Sequence, residues 1–71
     1  MKDEVLKTKK NKIKELDKLI EHAKKDITYY INSDMPKTMS EELVADSTRR
    51  LTDYQTEKLI VQKEINDIIY A

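Results

Sequence analysis

Apolar residues in the first half of the chain recur with a helical rhythm. Ile13, Leu16, Ile20, Ala23, Ile27 and Tyr30 step alternately by three and four residues. That spacing puts them on one stripe of an α-helix, with isoleucine at each a position of a heptad frame. Extending the frame backward places Leu6 at a and Lys9 at d. The second half repeats the rhythm through Val44, Ser47, Leu51, Tyr54, Lys58, Val61, Ile65 and Ile68, so two of its core slots are polar. Between the halves, residues 32–38 collect turn formers around the only proline, Pro36. Met35, preceding it, is biased away from helix.

The pattern predicts one helical-hairpin domain over residues 1–71: helix 1 over about 2–32, a loop over 33–39 and helix 2 over about 40–70. Asn32 is expected to end helix 1 in the left-handed conformation. Helix 2 has two candidate starts. Thr38 and Glu41 form a capping-box pattern, or Ser40 caps and Met39 staples to Val44. Either start puts Glu41 and Glu42 in the first turn, where the helix dipole favours carboxylates. Matched helix lengths and a short connection predict antiparallel packing. Folding about residue 37 sets Ala23 against Leu51, Ile20 against Tyr54, Ile13 against Val61 and Leu6 against Ile68, with Tyr30 near Val44. The fold class is therefore all-α: a coiled-coil-like antiparallel two-helix hairpin.

Composition sharpens this picture. The chain has no glycine, cysteine, tryptophan or phenylalanine. Without glycine, phosphate-cradling loops, dinucleotide turns and tight primed β-hairpins are disfavoured. Without cysteine there is no disulfide scaffold, Cys-ligated zinc or thiol nucleophile. The longest clean apolar run, Leu59-Ile60-Val61, is far too short for a membrane span, so the expectation is a cytoplasmic protein. The lysine, isoleucine, asparagine and aspartate bias suggests an AT-rich genome, such as that of a low-GC bacterium or its phage. Charge is balanced overall, 14 basic against 14 acidic residues. It is divided unevenly, with a net basic first helix and a net acidic second one, which favours their pairing.

Some apolar residues miss the seam. Leu59 and Ile60 point roughly 130° to either side of the core stripe. Leu19, Tyr29, Ile69 and Tyr70 flank or oppose it. These six are the candidate partner or dimer interface, because a hairpin two helices thick covers each stripe from one side only. Two hairpins pairing into a C2 four-helix bundle would cover it further. At the seam, Lys9 and Lys58 are expected to snorkel outward, and Ser47, opposite Ile27, to bond its own helix backbone.

Candidate chemistry is sparse. His22, the only histidine, falls on the solvent side. With Asp26 it supplies two ligands at helical spacing, too few for a metal site. No carboxylate pair converges in a dry cleft, and Ser33, Ser40 and Ser47 have no histidine partner. The densest basic run, residues 7–14, makes Lys7, Lys10, Lys12 and Lys14 candidate phosphate contacts. The corresponding alternative is a Rop-like dimeric hairpin that binds RNA. The run has no arginine and no interleaved aromatic.

The stretch Glu15-Leu16-Asp17-Lys18-Leu19-Ile20 resembles part of the signature of the small sporulation-type aspartyl-phosphate phosphatases, helical hairpins that act on phosphorylated response regulators. The resemblance implies a role for Asp17 in removing phosphate from such a regulator. It covers about six residues. The family signature carries Ser-Gln ahead of Glu-Leu-Asp on the second helix, whereas Ile13 and Lys14 stand in those places here, on the first. Secreted hairpins with a Trp-x-Gly turn are excluded by composition.

The expectation is thus a small non-catalytic helical interaction module. It acts as a homodimer and binds a protein target, as a regulator or inhibitor of phage or mobile-element type would. No cofactor, metal, small-molecule substrate or membrane is called for.

Overall fold

The computed structural model describes residues 2–70. Two helices, α1 (Lys2–Asn32) and α2 (Lys37–Ile69), lie antiparallel. Together they form a rod of 52 × 14 × 12 Å. Each helix runs unbroken because the chain has no glycine and its proline falls between them. Asp3 and Glu4 occupy the first turn of α1, where they complement the helix dipole. No helix among the described residues is long and apolar enough to cross a membrane.

The two heptad stripes face each other along the whole rod. Leu16, Ile20 and Ala23 of α1 are buried, as are Ser47 and Val61 of α2. Leu6, Ile13, Ile27 and Tyr30 are half-buried on α1, as are Val44, Leu51, Tyr54, Ile65 and Ile68 on α2. Leu43 and Met35, outside the predicted stripe, are half-buried too. The fully buried positions lie inside the seam, with only half-buried ones at its two ends. A fully buried leucine such as Leu16, 1% exposed, contributes about 2 kcal/mol.

Three ion pairs also cross the seam. Lys9 Nζ lies 3.1 Å from Glu64 Oε2, and Lys12 Nζ lies 3.5 Å from Glu57 Oε1. Lys58 bonds Asp17. Lys9 and Lys58 occupy seam positions, and each carries its ammonium out to a carboxylate on the opposite helix. Their stems thus cover apolar surface while the charges stay near water.

The turn differs from the sequence reading in three ways. First, α2 begins at Lys37 rather than near residue 40. Pro36 has φ −53° and ψ 140°, and its carbonyl accepts the amide of Ser40 at 3.0 Å. The first helical bond thus closes on the proline itself. Glu41 and Glu42 consequently fall outside the first turn, which holds no acidic residue. Second, no side chain caps α2, so neither the Thr38–Glu41 capping box nor a Ser40 cap forms, and Met39 is exposed. Ser40 instead donates its hydroxyl to the Tyr30 carbonyl at 2.8 Å, and Ser33 donates to the same oxygen at 3.3 Å. Third, Asn32 is the last residue of α1 and not a left-handed cap. No described residue has positive φ. The Tyr30 carbonyl at the helix end is satisfied by two hydroxyls and needs no left-handed residue to supply an amide.

Ser47 also departs from expectation. Its side chain is fully buried, and its Oγ accepts from the Arg50 guanidinium at 3.0 Å rather than bonding the backbone. Arg50 reaches Asp46 as well, at 3.4 Å. No buried side-chain nitrogen or oxygen among the described residues lacks a hydrogen-bond partner.

Candidate interaction surface

A two-helix rod has two flanks alongside its seam, and the heptad frame decides what each carries. On α1, the residue after a d position and the residue before an a position point to opposite flanks. Lys24 and Ile31 therefore share one flank, and Leu19 and Asp26 the other. On the first flank, Ile20 and Lys24 of α1 line a groove with Gln55, Lys58, Leu59 and Gln62 of α2. A second concavity on that side, nearer the turn, is bounded by Ile31, Val44 and Ala45 together with Lys37, Ser40 and Glu41. On the opposite flank, Leu19, His22, Ala23 and Asp26 face Arg50 and Tyr54 across a shallow groove. The flanks are named below after Leu59 and Leu19.

The six residues left over from the seam are all exposed, Leu59 at 67%, Ile60 at 56% and Tyr70 at 83%. They do not gather into one patch. Leu59 and Ile69 belong to the Leu59 flank. Leu19, Tyr29 and Ile60 belong to the opposite side, and Tyr70 lies on the back of α2 beyond its last helical residue. Tyr29 packs edge-to-face on Tyr30, with ring centroids 5.7 Å apart. Val5 and Ile31 are further exposed apolar residues that the sequence reading did not single out, and Met39, read there as a staple, is exposed too. Ile31 was detectable in principle, since it lies four residues beyond Ile27 and next to the stripe.

The basic run is divided by the fold. Lys7, Lys10 and Lys14 line one concavity on the Leu59 flank, with Asp3, Leu6 and Asn11. Lys12 lies on the other flank and is engaged by Glu57. Asp17, on which the phosphatase resemblance depends, is bound to Lys58 at the edge of the seam. His22 Nδ1 sits 3.2 Å from Asp26 Oδ2, with the imidazole largely exposed. Among the described residues, no three His, Cys, Asp or Glu side chains are grouped to hold a metal.

The two flanks of α2 differ in charge. From Ala45 to Ile69, the positions facing the Leu59 flank are threonine, glutamine, asparagine or apolar, and none is charged. The opposite side and back of α2 carry Asp46, Arg49, Arg50, Asp53, Glu57, Lys63, Glu64 and Asp67. In a chain that is 39% charged, this segregation is confined to α2, because the α1 half of the Leu59 flank carries Lys7, Lys10, Lys14, Asp17, Glu21 and Lys24. Comparison with protein-family models, characterised proteins and solved structures finds no match to this chain.

Proposed function

We propose that the chain is a non-catalytic helical interaction module. It works as a homodimer in which two hairpins pair into a four-helix bundle, and it regulates a protein target through the surface that remains. The amount of exposed surface carries this reading. The hairpin exposes 5667 Å², whereas a compact folded chain of its 8.4 kDa would expose about 4,600 Å². The excess, about 1,000 Å² per chain, is of the size that a stable dimer buries. Exposed Leu59, Ile31 and Ile69 make part of that excess apolar, and removing such area from water favours association.

The direct test is mass in solution. Light scattering or sedimentation at high micromolar concentration should give about twice the 8.4 kDa chain mass. A clean monomer there would overturn the dimer. For the target, retention of one protein from the source cell by the wild-type dimer, and its loss when Ile60 and Tyr29 are changed to lysine, is the expected result.

A further inference from the structure

The charge that the seam leaves over points to a second kind of partner. Six lysines fall between residues 7 and 18, and the fold sorts them into two sets. Lys9 and Lys12 are taken up by Glu64 and Glu57 of α2. Lys7, Lys10, Lys14 and Lys18 are exposed and make no ion pair with the described residues. We infer that these four, with Asn11 among them, form a contact row for the phosphates of a nucleic-acid duplex. The inference goes beyond the dimer proposed above and does not depend on it.

Helical spacing makes the row continuous. Its steps of three, four and four residues keep the four lysines within an arc of about 80° on the outer edge of α1. The row is about 17 Å long at about 1.5 Å per residue. Lys7, Lys10, Asn11 and Lys14 border one concavity, together with Asp3 and Leu6. Few carboxylates oppose this edge. Between residues 7 and 18 the acids are Glu15, which falls on the other side of α1, and Asp17, which Lys58 already binds. Asp3 and Glu21 bound the row at its ends. The neighbouring flank of α2 has no charged residue from Ala45 to Ile69. The acids of α2 in that stretch lie on its far side and back, so a chain that is neutral overall presents a basic edge along α1.

The rest of the edge selects the occupant. A duplex carries one negative charge per about 1.7 Å of its axis, or about ten over the length of the row. Single strands are held by stacking their bases on aromatic rings, and no tyrosine stands here. Tyr30 and Tyr54 belong to the seam, Tyr29 to the opposite flank and Tyr70 to the back of α2. A membrane surface needs an apolar face beside the lysines, whereas Leu6 and Ile13 next to the row are half-buried in the seam. Lysine contacts to phosphate position a duplex without reading its bases, so the binding expected is independent of sequence.

Fluorescence anisotropy with a mixed-sequence DNA duplex, and with an RNA duplex of equal length, tests the row. Binding of either supports it, and the stronger arm names the source of the phosphates. With four contacts, log affinity for DNA should fall against log salt with a slope of about −3.6, a loss of about 150-fold between about 50 and 200 mM. Lys10→Gln with Lys14→Gln should halve that slope and weaken binding at low salt at least about tenfold. Lys12→Gln with Lys63→Gln removes the same net charge from the other side and should leave the slope unchanged. All four positions are exposed, so far-UV circular dichroism should report full helicity in both variants. Equal loss in the two double variants means that net charge alone is read, and it overturns the row. So does the absence of any anisotropy change at low salt with both duplexes, or tighter binding to a single strand or to phosphatidylserine vesicles than to either duplex. Light scattering in the same buffer reads the dimer separately, so the failure of one proposal is distinguishable from the failure of the other.

Discussion

The middle of the seam and its two ends are built from the same heptad spacing, yet they are held differently. In the middle, Leu16, Ile20, Ala23, Ser47 and Val61 are buried, and the backbones of both helices continue past them in each direction. At the open end, Leu6 and Ile68 are only half-buried and depend on Lys9–Glu64 for polar support. At the turn end, Tyr30 and Val44 are half-buried as well, but there the chain itself joins the helices and Ser40 ties α2 to the end of α1. In a rod two helices thick, spacing alone does not set burial. Every fully buried seam residue has neighbours above and below as well as opposite, but these do not suffice: Leu51 and Tyr54 are enclosed in the same way and stay half-buried.

The comparison can be broken most directly at its centre. Leu16→Ala should cost about 3 kcal/mol, read as the largest drop in the urea midpoint. A cost no greater than that of Leu6→Ala would remove the distinction. Leu6→Ala itself should cost about 1.5 kcal/mol, because water already reaches part of that side chain. Ser40→Ala should cost about 1 kcal/mol. Its signature should be local, with faster amide exchange on both sides of the turn and little change near Val61. Lys9→Ala should be smallest, about 0.5 kcal/mol or less, since the pair is partly exposed, and its effect should shrink further in high salt.

The seam was legible because the same three–four rhythm appears in two stretches of equal length with one break between them. Each stripe made the other credible, and the antiparallel pairing followed from folding the chain at its proline. The turn was less legible because several local rules competed over the same residues. Thr38, Ser40 and Asn32 all fit capping patterns, while the bond that Ser40 makes is to a carbonyl on the other helix, which no local pattern describes. Ser47 was misread for a related reason: its partner Arg50 looked like surface charge in the sequence. The exposure of Leu59 and Ile60 could be read from their angle off the stripe. That they serve opposite flanks could be read as well.

The shared carbonyl of Tyr30 has a consequence for the order of events as the chain folds. The Ser40–Tyr30 bond spans ten residues, whereas Lys9–Glu64 spans 55. Closing the short loop first costs less chain entropy, and each later layer then extends a segment that is already closed. The hairpin should therefore zip from the turn toward the open end, with local contacts giving a low contact order and rapid folding. In that sequence Ser40 stands at the start of the pathway, and its loss slows folding. Leu6 and Ile68 join at the finish, and their truncation mainly speeds unfolding.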